Sequence, residues 1–483
     1  MITLKKYTCR EANDFDGSAL RSIVHFDIPG DGIYDLSQSC VVLPVTITSV
    51  ETAGAEAIHN VSLKFRPVCL VKNCQLSSEN AGIMEDLTHV NFLNRNLNRL
   101  RYNTQDNEDN ALFNGVNYED EFSNNYSAFR DLVRKGTASN ADRRPELRVK
   151  LSALFPGVAE FTQYPAMMMG KTTVRLEFQS GTNMLQEKIR YDDHAGNSVG
   201  FANIAGGVGK TTLISTNDYQ AAKEIPFWVG QKINVSRSIG GAGATAIDTY
   251  ITAVAWDPAA AATHTNKIVL TVAPEIAADG DAITAVTAIQ VAAASLSYKI
   301  EQPKLLLYQV SPSPSQMSSA VSKLKSGTEM PFRTYTLEQD SVVNATAEYN
   351  RNFYLEPNCA NAFLFGQLPA GAAGDNMNST ITNLGSFRTS LNQVDLTSQD
   401  VTVDSPLYKD RILWTVSNAG LPLRNLRDTP SVVANPIPLQ SVQQQYQVQL
   451  KKSAVGDIAA FNLHLYKQVQ RVLKVSGRSV QVV

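Results

Sequence analysis

Lys210 and Thr211, in the stretch NIAGGVGKTTL (residues 203–213), are the residue types that bind a nucleotide phosphate and its Mg²⁺. In a P-loop the backbone N–H groups of a glycine-rich turn, continued by a helix N-terminus, surround the phosphates. The lysine reaches the terminal phosphates and the hydroxyl holds the metal. The full pattern, G-x-x-x-x-G-K-[ST], puts its first glycine where this chain has Ile204, counting back from Gly209. The variant used by partition-type ATPases needs a lysine where this chain has Ala205. The preceding residues, DDHAGNSVGFAN, are polar and glycine-rich, whereas a P-loop follows a buried apolar strand. A helix is allowed from Asn217 to Glu224, but Pro226 bounds it after about two turns. The same tetrapeptide also occurs at Gly170-Lys171-Thr172-Thr173, where it opens TTVRLEF. There Val174, Leu176 and Phe178 alternate with Arg175 and Glu177, the pattern of a half-buried strand. Gly209, Lys210 and Thr211 are therefore read as a decoy in a small-residue loop, and no nucleotide cofactor is expected.

Other chemistry is sparse. Cys9, Cys40, Cys69, Cys74 and Cys359 form no C-x-x-C pair, and the six histidines show no H-E-x-x-H. Free thiols and no metal site are expected. Asp106, Glu108, Asp109, Glu119, Asp120 and Glu121 cluster in a polar segment but lack the spacing of a Ca²⁺ loop, so they read as a solvated loop. No catalytic residue is assigned. The start, MITLKKYTCREANDF, lacks the apolar core of a signal peptide, and no run reaches the ~18 apolar residues of a membrane span. Sequons such as Asn60-Val61-Ser62 and Asn344-Ala345-Thr346 are thus expected to be unused.

The length of 483 residues exceeds one ordinary core and predicts two or three domains. A net charge of −2 with 18% charged residues suits a surface largely covered by neighbours, and not strong nucleic-acid binding by an isolated subunit. Strand patterns dominate. CVVLPVTITSV and NVSLKFRPVCLVKNCQL in the first half are β-branched and alternating. In GIMEDLTHVNFLNRNLNRL (82–100), Ile83, Leu87, Val90, Leu93 and Leu97 recur at helical spacing, and this is the one helix expected outside the glycine-rich module.

From about 196 to 294 the chain is rich in Ala, Gly and Thr, with short runs such as TYITAVAW and NKIVLTV, which predicts a small inserted β-module. SPSPSQMSSAVSKLKSGTE reads as a stiff, solvated linker over 311–330. The runs FRTYTLEQDSVV, AEYNRNFYLE, NAFLFGQL, RILWTVSN, QYQVQL and FNLHLYKQVQRVL predict a β-rich second half. The expected fold is all-β: two jelly-roll sandwiches, 1–310 with its insertion and 331–483. No repeat is visible by letter identity.

Two stretches carry a family resemblance. VCLVKNCQLSSENAGIMEDLTHVNFLNRNL (68–97) resembles a strand, Ser-rich turn, glycine and Glu-containing helix. NSTITNLGSFRTSLNQVDLTSQDVTVDSPLYKD (378–410) resembles a loop into a strand, then a turn at Pro406-Leu407. Both are similar to the double jelly-roll major capsid proteins of double-stranded DNA viruses, in the style of polinton-like viruses, virophages and the adenovirus hexon lineage. The inserted module has no counterpart in that resemblance.

The resemblance implies a homotrimer whose six sandwiches form a pseudo-hexagonal capsomer of an icosahedral shell. It also implies penton and minor capsid proteins as partners and a virion location. Trp414, Phe353, Tyr354, Phe363 and Phe365 suit interfaces but are expected in the core. From Ser441 onward, Lys451, Lys452, Lys467, Arg471, Lys474 and Arg478 face a single acid, Asp457, and could meet packaged DNA or simply discourage strand pairing at an edge. Trp228 and Trp256 in the module are candidates for an outer contact or a small core. Two other readings stay open: a trimeric spike, penton or host-ligand-binding β-sandwich protein, and a P-loop NTPase using Lys210 and Thr211.

Overall fold

The computed structural model describes residues 2–11, 14–15, 22–49, 59–63, 67–101, 134–135, 146–179, 185–187, 201–203, 212–215, 232–239, 242–257, 267–273, 282–288, 296–369, 379–397, 399–403, 405–420, 432–476 and 479–483. The first sandwich uses β1 (Ile2–Thr8), β2 (Ile23–Ile28), β3 (Ile33–Ser49), β5 (Val71–Ser78), β6 (Gly82–Leu87), β8 (Glu146–Lys150), β9 (Thr172–Phe178) and β18 (Lys304–Val310). One sheet runs β1-β18-β3 with β8 on the far side of β3, and the other runs β2-β9-β5-β6. A strand β17 (Leu296–Ile300) extends the first sheet along β3. A separate ribbon joins β4 (His59–Leu63), β7 (Arg134–Lys135) and β10 (Leu185–Glu187).

The second sandwich repeats this scheme. Its strands are β19 (Thr328–Val342), β20 (Glu348–Leu355), β21 (Cys359–Gln367), β22 (Leu384–Leu391), β23 (Val394–Asp395), β24 (Val401–Thr402), β25 (Val432–Pro436), β26 (Gln444–Lys452), β27 (Phe461–Ser476) and β28 (Ser479–Val482). They pair as β19-β27-β21-β25 and β20-β26-β22, with β23 and β24 on β22. In both sandwiches one sheet therefore holds the first, eighth, third and sixth core strands, and the other the second, seventh, fourth and fifth. That is the jelly-roll order, present twice. The duplication lies wholly in topology.

The module is a six-stranded sheet, β11 (Phe201–Asn203), β12 (Thr212–Ser215), β15 (Lys267–Ala273), β14 (Ala242–Asp257), β13 (Lys232–Ile239) and β16 (Ala282–Ala288), in that spatial order. It enters the chain between β9 and β18, the seventh and eighth core strands of the first sandwich.

Three helices matter here: α1 (Val90–Arg101), α2 (Pro314–Ser326) and α3 (Pro406–Asn418). Residues 82–87, expected as the first turns of a helix, form β6 instead. They pair with β5 in a hairpin, Cys74 opposite Leu87, and Gly82 takes a positive φ of 71° at the turn. Pairing with β5 overrides the helical spacing of Ile83 and Leu87, and the helix starts only at Val90. The segment read as a linker is largely α2. Pro314 sits at its first position, where a missing N–H costs nothing, and Gly327 at φ 99° ends it.

RILWTVSN, read as a strand, lies within α3, so the second half also has a helix, and Pro406 starts that helix where a turn was expected. Its buried residues Tyr408, Ile412, Thr415 and Val416 fall at helical spacing, and Gly420 at φ 73° follows its C-cap. The Ser405 hydroxyl accepts the Tyr408 N–H at 3.2 Å, an N-cap. Ser405→Ala is expected to cost about 1 kcal/mol, read as a lowered urea midpoint with an unchanged slope; an unchanged midpoint would show that the cap bears no load.

Candidate functional site

The two sandwiches meet along a buried seam, and its polar groups are matched across a long sequence gap. Glu85 of β6 is fully buried. Its carboxylate accepts the Val158 N–H at 2.5 Å, the Gly157 N–H at 3.2 Å and the Thr334 hydroxyl of β19 at 2.9 Å. Burial raises its pKa to about 7, against the lowering pull of those three donors and of Arg471. Gly157 has no room for a side chain: a Cβ there would lie 2.5 Å from the Phe332 ring and 2.8 Å from the Arg333 carbonyl. First-sandwich backbone thus lies directly against β19.

α1 supplies the rest of the seam. Phe92 packs edge-on against Phe365 at 6.2 Å and lies 4.9 Å from the His464 ring. One turn on, the Asn96 side-chain oxygen accepts the Ser379 N–H at 2.7 Å. Tyr466 donates its hydroxyl to the His89 carbonyl at 2.9 Å. His464 is held on both nitrogens, by Gln339 Nε2 at 3.1 Å from Nδ1 and Gln367 Oε1 at 3.0 Å from Nε2, an arrangement that fits a neutral ring protonated on Nε2. Burial drives its pKa down to about 3, with His89 adding to the fall. These donors and acceptors satisfy one another. The geometry fixes the angle between two sandwiches and presents no activated nucleophile.

The surface shows a second kind of feature. Trp414 and Leu413 on α3 are 64% and 43% exposed, and Ile2 and Leu4 on β1 are 63% and 52% exposed. Of the five aromatics expected in the core, Phe353, Phe363 and Phe365 are buried, but Trp414 and Tyr354 stand on the surface because they point away from their own sandwich.

The basic residues near the C-terminus do not form one face. Lys451 and Lys452 are on β26 and pair with Asp400 and Asp457, each at 2.8 Å. Lys467, Arg471 and Lys474 are on β27, in the opposite sheet. Lys467 is buried between Glu338 at 3.4 Å and Glu356 at 3.6 Å, Arg471 lies 3.7 Å from Glu356, and Lys474 lies 3.0 Å from Glu329. Four of these five have an acidic partner far from them in sequence, whereas Lys452 pairs with Asp457 only five residues on.

Gly209, Lys210, Thr211, Trp228, Arg478, the acidic segment 102–125 and the helix considered at 217–224 lie outside the described residues. The flanks of the glycine-rich loop are described. Asn203 pairs with Leu213 across the antiparallel strands β11 and β12, so a strand follows at Thr212 where a phosphate-binding loop would have a helix. Trp256 lies on β14 opposite Ile268 of β15. The five cysteines form no disulfide, and among the described residues no group of His, Cys, Asp and Glu is placed to hold a metal ion. Nor, among them, is any helix long and apolar enough to cross a membrane.

No protein-family model and no curated protein matches the chain. Among solved structures it is similar to the Faustovirus major capsid protein, with 11% sequence identity and a TM-score of 0.51 over 99% of this chain and 90% of that one. It is also similar to chains of the PBCV-1 virus capsid (11% identity, TM-score 0.48, 100% of this chain and 96% of that one) and to the mavirus major capsid protein (10% identity, TM-score 0.42, 100% and 90%). The Faustovirus likeness speaks to fold, and it runs through both sandwiches. The chain has the double jelly-roll fold.

Proposed function

We propose that this chain is a major capsid protein that self-assembles as trimeric, pseudo-hexagonal capsomers of an icosahedral viral shell. The observation that carries this reading is the doubled jelly roll locked by the buried seam of Glu85, Phe92, Asn96 and His464. Two like sandwiches at a fixed angle give each chain two of six corners, so three chains close a near-sixfold ring. A tile of this kind acts through its edges, and the seam has the matched, buried chemistry of a structural joint. The role is thus structural and its site is the virion, with penton and minor capsid proteins closing the shell at positions a hexagonal tile cannot fill.

Size-exclusion chromatography with light scattering, followed by negative-stain imaging, tests this. The expected species is three times the 52.7 kDa chain mass with a hexagonal outline. A monomer or dimer without that outline would remove the reading. An isolated trimer of elongated, non-tiling shape would favour the spike or penton alternative.

A further inference from the structure

The duplicated topology puts a helix at the same place in each sandwich, after the fifth core strand and before the sixth. In the first sandwich this is α1, and in the second it is α3. α1 serves the neighbouring sandwich as well as its own. Phe92 lies against the outer face of β21 and β27, where Phe365 stands opposite His464 and Phe363 opposite Tyr466, and Asn96 reaches Ser379 in the segment after β21. A helix from one sandwich thus covers the outer sheet face of the next.

The corresponding pair is uncovered in this chain. α3 turns Tyr408, Ile412, Thr415 and Val416 inward and leaves Leu413 and Trp414 exposed at 43% and 64%. The matching sheet of the first sandwich is bare along its β1 edge, while Ile33, Cys40 and Val42 on the same face of β3 are buried. Leu305 and Leu307 of β18 point inward and are fully buried. On the other face Ile2 stands opposite Val310, Leu4 opposite Tyr308 and Lys6 opposite Leu306, with Ile2 and Leu4 more than half exposed. Exposed apolar groups clustered this way mark contact surfaces, and tryptophan is a favoured anchor of such contacts. The helix patch is bordered by both signs of charge, Lys409 one turn before Leu413 and Asp410 one turn before Trp414, and Asp410 is the group that suits Lys6, next along the sheet face from Leu4.

We propose that α3 of one copy, through Trp414 and Leu413, docks on the outer β1–β18 face of a second copy, a seam between chains like the one α1 makes within a chain but shifted toward the first core strand of the sheet. The contact is head to tail, since the two patches differ, and such contacts close into rings when the rotation allows. This rests on the capsomer reading and says which surfaces build the capsomer: around six sandwiches, seams within a chain and seams between chains alternate.

The test uses the full chain carrying Trp414→Glu or Leu4→Glu, each judged folded by circular dichroism and an unshifted unfolding transition. Light scattering is expected to find each variant monomeric at concentrations where the wild type is trimeric. Mixing the two should then give a one-to-one dimer, because one variant keeps an intact sheet face and the other an intact helix. A chain carrying both Leu4→Cys and Trp414→Cys should form interchain disulfides on oxidation, which keeps the question open to measurement if the charged variants misfold. Trimers that persist in either folded glutamate variant, or the absence of such disulfides in a trimeric protein, would overturn this seam and leave the capsomer reading standing. A monomeric wild type would remove both.

Discussion

Replacing Glu85 by glutamine is expected to flatten a slope in stability that the wild-type protein carries between about pH 4.5 and pH 7. Burial raises this carboxyl from 4.5 to about 7 in the folded chain. Between those values the folded protein keeps a proton that the unfolded chain releases. Its contribution is therefore fully present below pH 4.5 and is lost as pH rises through 7. A span of this size corresponds to roughly 3 kcal/mol. His464 works in the opposite sense. Its pKa falls from 6.5 to about 3, so the neutral ring stabilises the fold above pH 6.5, and that contribution is lost as pH falls toward 3. His89, also lowered by burial, adds to that acid limb. Unfolding midpoints of wild type, Glu85→Gln and His464→Gln across pH 4 to 8 separate the two limbs. If the glutamine variant at position 85 simply parallels the wild type, Glu85 does not titrate in the seam. Glu85→Ala should cost more at every pH, roughly 3–5 kcal/mol, because it strands the Gly157 and Val158 N–H groups and the Thr334 hydroxyl without an acceptor.

Much of the strand content was legible because burial on one face leaves a period of two. Thr172–Phe178 and Gln444–Lys452 alternate buried and half-buried residues as their letters alternate apolar and polar. The helices were harder. α3 was hidden by β-branched Ile412, Thr415 and Val416, although Ser405, Pro406 and Gly420 mark its ends. α2 was hidden by the prolines and serines of its first turn, which suit both a linker and a helix start.

The seam could not be read at all. Glu85 and Thr334 are 249 residues apart, and Asn96 and Ser379 are 283 apart, so nothing local distinguishes them from ordinary strand and helix positions. In the same way, the positive charges gathered near the C-terminus looked like one face only while their partners, such as Glu338 and Asp400, were out of view. The two sandwiches were expected, yet no repeat of letters marks them, because a jelly roll constrains the order of strands and the face each residue takes, not the identity of the residue.

Phe92→Ala carries the other large expected effect, a loss of roughly 3–5 kcal/mol. The ring is fully buried and sits at the meeting point of α1 with β21 and β27, edge-on to Phe365 and 4.9 Å from His464. Neither sandwich can close the gap alone, because β21 and β27 are fixed by their own core and α1 is tied by Asn96 to Ser379. The cavity would therefore remain, and it would border the imidazole. Water entering it would relieve the burial that holds His464 near 3, so its pKa should move back toward 6.5. Loss of stability and loss of the His464 shift should thus appear together in Phe92→Ala, the first by calorimetry and the second by NMR titration of the histidine ring. Phe92→Leu, which fills most of the space, should keep His464 low and cost about 1–2 kcal/mol. A Phe92→Ala chain that stays within about 1 kcal/mol of wild type would mean that the two sandwiches are joined by the Glu85 cluster without α1.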